Sequence, residues 1–140
     1  MRSRHLSCGV AGAATAAALA VTASAAAPSV TLNLKGGYAN RELVACGIRH
    51  HYTFFHLMQP LSMDGSVQPV PRGTWLVKVK VKKCIHGRFR TVWARHAKGK
   101  ADGTFKIAYK PRRAGAYFAR AYFYGTRPAT RSDKQYFHAP

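Results

Sequence analysis

The sequence predicts an all-β protein, an antiparallel β-sandwich of about seven strands preceded by a helical leader. Two observations lead to this prediction: short segments in which apolar and polar residues alternate, and glycine or proline turns that separate them at regular intervals. Beyond the leader, no stretch has a convincing helical period. The segments expected to form strands are residues 29–34, 50–58, 75–83, 88–96, 104–109, 116–124 and 132–138.

Residues 1–25 have the form of a secretory signal peptide. Arg2 and Arg4 precede an alanine-rich apolar segment, and Ala23-Ser24-Ala25 fits the small-x-small pattern of a cleavage site, so we expect cleavage after Ala25. The alternative, a membrane-spanning helix, would need ~20 strongly apolar residues. The sequence therefore predicts an exported protein that does not span the membrane and consists of one domain, residues 26–140.

The strands of the first half are weakly marked. Residues 38–49 lack a regular alternation, so we expect a loop or an extra strand there. Asp64-Gly65 is a turn signal. Pro69 and Pro71 argue against a central strand nearby, because proline cannot donate a hydrogen bond to a neighbouring strand. The sequence therefore predicts a turn at Asp64-Gly65 and no central strand at Pro69 and Pro71.

The second half of the chain carries the clearest strands. Alternation along residues 75–83 puts Trp75, Val77, Val79 and Val81 on one face, and Leu76, Lys78, Lys80 and Lys82 on the other. Valine inside and lysine outside at a period of two indicates a strand with one buried face. Two later strands should each place alternate residues on one face. These residues are Phe105, Ile107 and Tyr109 in residues 104–109, and Tyr117, Ala119, Ala121 and Phe123 in residues 116–124.

The cysteines agree with export. Cys8 belongs to the leader, which leaves Cys46 and Cys84, and two cysteines in an exported chain most often form a disulfide. Closing the loop between them would stabilise the fold by ~4 kcal/mol on the loop-entropy estimate. The alternatives are two free buried thiols or a zinc site, and the latter is disfavoured because neither cysteine has a close second cysteine.

Four motifs follow one another in the second half of the chain. They are the lysine-bearing valine strand, Gly87-Arg88-Phe89-Arg90-Thr91-Val92, Asp102-Gly103-Thr104-Phe105, and Gly115-x-Tyr117-x-x-Arg120-Ala121 with a closing Gly125. In this order, over residues 50–138, the chain resembles secreted bacterial immunoglobulin-like repeat domains. The resemblance implies an immunoglobulin-like sandwich that serves as a spacer, adhesive module or stalk. The chain departs from the pattern because it stands alone, is far more basic, and is expected to carry a disulfide.

Positive charge is the other outstanding feature. The chain has 23 Lys and Arg against 4 Asp and Glu, a net charge of +19. Such an excess attracts anionic polymers and surfaces, although a solubilising surface is an equal alternative. The candidate anion-binding residues are Lys78, Lys80, Lys82 and Arg120, and the candidate aromatic surface beside them is Phe118, Tyr122 and Tyr124. Exposed aromatics next to arginine can stack on bases or sugars. The alternative is that a loop such as residues 38–49 covers these rings.

Residues suited to catalysis or metal binding are scarce. The acidic residues are Glu42, Asp64, Asp102 and Asp133. Two of them precede glycine, as turn residues do, and no nucleophile, phosphate-loop or dinucleotide motif is present. On one strand His50 and His56 would lie ~20 Å apart, too far to share a metal ion. We therefore expect no enzymatic activity, no metal and no cofactor.

The sequence thus predicts a secreted, non-enzymatic binding or structural module that associates with anionic extracellular or cell-wall material. The expected partners are anionic polymers such as a cell-wall polymer or extracellular nucleic acid, bound by a monomer. The alternative is a secreted inhibitor or toxin-like protein that recognises one specific protein partner. The two differ in their response to salt, because screening weakens the first kind of binding far more than the second.

Overall fold

A computed structural model describes residues 12–18 and 27–140, and within these residues the protein is all-β. Its strands are β1 (Ser29–Lys35), β2 (Ala39–Ala45), β3 (Ile48–Phe54), β4 (Leu61–Gln68), β5 (Leu76–Ile85), β6 (Arg88–Lys98), β7 (Thr104–Tyr109), β8 (Gly115–Phe123), β9 (Thr130–Arg131) and β10 (Gln135–Ala139). They form two sheets. The smaller sheet has the order β1-β4-β7, and the larger has the order β2-β3-β10-β8-β5-β6, with β9 beside β8. Every pair is antiparallel except β3 and β10.

The core lies between the two sheets, and the predicted inward faces are confirmed. Val77, Val79 and Val81 of β5 are fully buried. They pack in one cluster with the predicted inward residues of β7 and β8 and with apolar residues of β1 and β4. Trp75, just before β5, is buried in the same cluster, and its indole Nε1 donates a hydrogen bond to the carbonyl of Lys100 at 3.2 Å. Alternation along β5, β7 and β8 was therefore enough to find the part of the core that these strands supply.

The predicted turn at Asp64-Gly65 is wrong. Both residues lie inside β4, the middle strand of the smaller sheet. Gly65 is a glycine because a Cβ there would collide with the carbonyl oxygen of Thr31 and the ring of Phe105. Close packing, rather than a turn, is one of the recognised reasons for glycine in a strand. Pro69 follows the last residue of β4 and leaves its ladder intact.

Two pairs of strands joined by two-residue turns account for much of the larger sheet. The turn Cys46-Gly47 joins β2 to β3, and His86-Gly87 joins β5 to β6. All four residues have positive φ, the conformation that such hairpin turns require. Residues 38–49, left open as a loop or an extra strand, thus form mostly the extra strand β2. With β4 and the short β9, this raises the predicted seven strands to ten.

The ends of the sheets and the leader complete the picture. β6 is an edge strand of the larger sheet, paired on one side only.

Residues 12–18 are exposed and lie in no helix or strand, so the predicted helical leader is not found in its described part. The rest of the leader, with the expected cleavage after Ala25, lies outside the described residues. No helix suited to crossing a membrane occurs in the described part of the chain.

Candidate anion-binding surface

The predicted lysines and arginine come together on the face of the larger sheet that points away from the core, called here the outer face. Because the valines of β5 point into the core, Lys78, Lys80 and Lys82 project from the outer face. In the pairing of β5 with β8, Lys80 lies directly opposite Arg120. Directly opposite side chains on neighbouring strands have Cβ atoms ~5 Å apart. These four residues, called here the cationic face, therefore form one continuous patch.

Aromatic rings contact the ammonium groups of two lysines of the cationic face and of the neighbouring Lys134. The Nζ atom of Lys80 lies 4.8 Å from the ring centre of Tyr122. The Nζ atoms of Lys82 and Lys134 lie 5.7 and 5.0 Å from the ring centre of Phe118. These are cation–π distances, and the rings restrict the lysines without neutralising their charge.

Arg120 is anchored at its inner end. Its Nε atom donates a hydrogen bond to the carbonyl oxygen of Ser132 at 2.7 Å. The buried Ser132 hydroxyl in turn accepts a hydrogen bond from the amide of Ala121 at 3.0 Å and donates one to the carbonyl of Asp133 at 2.9 Å. A guanidinium has five N–H donors, so the terminal nitrogens keep donors for a ligand. Arg120 is the most firmly oriented member of the cationic face.

Carboxylates are absent from this patch. Among the described residues, no carboxylate oxygen lies within 4.0 Å of the charged atoms of the cationic face. Asp64 pairs with Lys35 at 2.7 Å, and this hydrogen bond lowers the pKa of its carboxyl group. Hydrogen bonds from Thr104 likewise lower the pKa of Asp102. Glu42 pairs with Arg49 on the β2–β3 hairpin.

The three predicted surface aromatics differ in exposure. Phe118 points to the outer face but is only 4% exposed, so for this ring the covered alternative holds. Tyr122 is half-buried and Tyr124 is 54% exposed, and their rings stack with centres 6.3 Å apart. The aromatic surface available to a ligand is therefore Tyr122 and Tyr124, while Phe118 supports the lysines from below.

The β2–β3 hairpin reaches the outer face near Phe118, where its His50 packs on Tyr136, a ring in contact with Phe118. A disulfide joins Cys46, at the hairpin tip, to Cys84 on β5, with 5.8 Å between their Cα atoms, which confirms the predicted pairing. Yet β10 and β8 lie between β3 and β5 in the larger sheet, a separation of roughly 14 Å. Since β3 pairs with β10 at only two positions, the hairpin leaves the sheet and crosses its outer face.

Aromatic contacts fill the space beneath the crossing hairpin. His50 of the hairpin lies 4.4 Å, ring centre to ring centre, from Tyr136 of β10. Tyr136 lies 5.7 Å from Phe118, which lies 4.9 Å from Phe89 of β6. Tyr52, also in contact with Tyr136, is fully buried, and this burial raises the pKa of its hydroxyl group. This outer aromatic cluster acts as a second, smaller core.

The histidines do not assemble into a metal site in the described part of the chain, where no group of three or more potential ligands occurs. His50 packs on Tyr136, and His56 stacks on Tyr38 with ring centres 4.4 Å apart. His138 is half-buried, and desolvation lowers its pKa.

Sequence reasoning missed Lys134 and Tyr136, which complete the patch from the side of β10. Lys134 reaches Phe118 because β10 pairs with β8 and begins opposite Ala119. The outward direction of Tyr136 follows from the burial of Phe137, so alternation along residues 132–138 was the signal that could have found it.

The fold and this patch define the class of the protein as a two-sheet β-sandwich with a cationic outer face. Comparison with known proteins finds no matching family model and no similar curated protein.

Proposed function

We propose that the protein is a secreted, non-enzymatic module that associates with anionic polymers through its cationic face. The observation that carries the proposal is the convergence of Lys78, Lys80, Lys82 and Arg120 on one surface with no carboxylate within 4.0 Å in the described residues. Neighbouring lysines on one strand face lie ~6.8 Å apart and repel one another. A polymer with regularly spaced negative charges would relieve that repulsion.

Two further features support secretion and the finer assignment of the fold. The Cys46–Cys84 disulfide suits an oxidising compartment, where such bonds persist. The leader-like residues 1–25 would direct export. The two facing sheets fit the expected immunoglobulin-like domain of the bacterial repeat type, with the crossing hairpin as an addition to it.

Tyr122 and Tyr124 give the surface a second mode of contact. Their stacked rings border the lysines, and the exposed Tyr124 presents a face on which a base or sugar can pack. Binding would therefore combine phosphate or carboxylate contacts with stacking, without sequence-specific recognition.

The test is the salt dependence of binding to a single-stranded oligo-dT probe and to a polyol-phosphate wall polymer. Replacing Lys78, Lys80 and Lys82 with glutamine should reduce the slope of log K against log salt concentration by about 2 for oligo-dT, because three phosphate contacts are lost. The matched control replaces Arg72, Lys100 and Lys106, which are exposed and lie elsewhere. Equal losses in both variants, or no binding to either polymer, would refute the proposal.

The alternative function, recognition of one specific protein partner, is separated by the same titration. A complex of fixed stoichiometry that survives about 0.5 M salt would support it, because exposed charge pairs are largely screened at that ionic strength.

A further inference from the structure

A second concentration of positive charge lies away from the cationic face, in a cleft of ≈ 620 Å³. Its walls come from β5, β6, the end of β7, the β7–β8 loop and the start of β8. The cationic side chains that line this cleft are Lys83, Arg95, Lys110, Arg112 and Arg113. No Asp or Glu is among the described residues that line it. In sequence these charges are scattered over some thirty positions, and only the fold brings them together.

The β7–β8 loop that supplies three of these cations is held at both ends. Pro111 is fully buried, and its carbonyl accepts a hydrogen bond from the amide of Met58 at 2.8 Å. The hydroxyl of the buried Tyr117 donates a hydrogen bond to the carbonyl of Arg113. The exposed side chains of this loop therefore project from a fixed backbone, so the cleft is formed before a ligand arrives.

The charge of the cleft is uncompensated. None of its five cationic groups has a carboxylate oxygen within 4.0 Å among the described residues. Burial raises the pKa of Tyr109 to about 12 and also raises that of Tyr117, so both phenols stay neutral at physiological pH. Three of the five cations are arginines, whose planar guanidinium groups bind phosphate oxygens in pairs.

We propose that this cleft binds a run of two or three linked phosphate groups, either free or carried by a nucleoside. A single carboxylate or phosphate would leave most of the five cations unpaired, whereas linked phosphates put several negative charges into a small volume. The cleft has the size of a small-molecule site. Trp93 on its wall is half-buried and packs against Tyr109, with ring centres 5.1 Å apart, and it offers a surface for a base.

A second cleft in the described part of the chain does not suit such a ligand. It measures ≈ 530 Å³ and is lined mainly by apolar and proline residues, with Arg72 as its cation. This contrast favours the cleft beside Trp93. The proposed site is also separate from the cationic face, so each can be removed by substitution without changing the other.

The test is isothermal titration calorimetry with inorganic tripolyphosphate at about 0.15 M salt, where weak surface charge pairing is largely screened. The expected result is one binding event per chain. Replacing Arg95, Arg112 and Arg113 with glutamine should weaken it by about tenfold or more, since charge-assisted hydrogen bonds are lost. The matched control is the Lys78, Lys80 and Lys82 triple glutamine variant, which removes the same charge and should change the affinity by less than about threefold.

Equal weakening in the two variants, several weak binding events per chain, or no binding would overturn the proposal. All six substituted side chains are at least partly exposed, so unchanged melting temperatures should show that both variants fold. Because the cationic face is unchanged in the cleft variant, its oligo-dT binding separates failure of this site from failure of the proposed function.

A second titration with adenosine triphosphate distinguishes the two sources of linked phosphates. Tighter binding than tripolyphosphate, with a change in tryptophan fluorescence that Trp93→Phe abolishes, assigns the site to a nucleotide. Equal affinity without that change assigns it to a free phosphate chain. The buried Trp75, the other tryptophan of the chain, should not respond in either case.

Discussion

Removing the Cys46–Cys84 disulfide should destabilise the protein more than any single surface change. The bridge joins residues 38 positions apart and closes a loop whose entropy in the unfolded chain is worth about 4 kcal/mol. Replacing both cysteines with serine should therefore lower the free energy of unfolding by about that amount. For a domain of this size, the melting temperature should fall by roughly 10–20 °C.

Urea denaturation of the oxidised protein and of the double serine variant measures this difference. The oxidised protein treated with reductant is the control, because it should reproduce the lower stability without any change of sequence. A loss below about 1 kcal/mol, which is far under the loop-entropy estimate, would show that the reasoning is wrong.

The structure adds a local prediction to this global one. The hairpin is held to the sheet by the disulfide, by the outer aromatic cluster and by only two pairs between β3 and β10. Without the disulfide, amides of β2 should exchange hydrogen faster, while amides at the centre of β5 and β8 should stay protected up to the global limit. Equal acceleration in β2, β5 and β8 would contradict a hairpin that can detach by itself.

Three further substitutions test the packing, a hydrogen bond and a titration. Gly65→Ala should cost about 1–3 kcal/mol in urea denaturation, because the new Cβ meets the ring of Phe105 and the backbone of β1; no loss would contradict the close packing. Ser132→Ala should cost about 1–3 kcal/mol, because it leaves the buried amide of Ala121 without that acceptor, and Ser132→Thr is the milder control. The raised pKa of Tyr109 means that the unfolded state loses its proton first, so stability should fall between about pH 10 and 12, less steeply in Tyr109→Phe; identical pH profiles would oppose this assignment.

The parts of the fold that follow from the sequence are those fixed by local alternation. Along β5, the alternation of valine and lysine assigns each residue to one face of the strand. The buried face and the cationic face were therefore both predictable. The turn His86-Gly87 and the Cys46–Cys84 pairing were predictable for similar reasons, since turn chemistry and cysteine number are readable without a structure.

The parts that could not be predicted depend on contacts between distant residues. From the sequence, Gly65 resembles a turn residue. The structure shows that Phe105, which is 40 positions away, occupies the space that a Cβ at this position would take. Phe118 is expected to be exposed from its alternation alone, and only the structure shows that Phe89 and Tyr136 pack against it. The cationic cleft beside Trp93 likewise cannot be found from the sequence, because alternation assigns a residue to a face but does not say which strands meet at an edge.

The edge strand β6 has a consequence for how copies of the protein meet. The unpaired side of an edge strand of this length has backbone donors and acceptors that could pair with a second chain. Four exposed cations, Arg88, Arg90, Arg95 and Lys98, lie along it. Two such edges that approach each other would bring like charges face to face, so the positive charge that suits an anionic ligand also guards against aggregation.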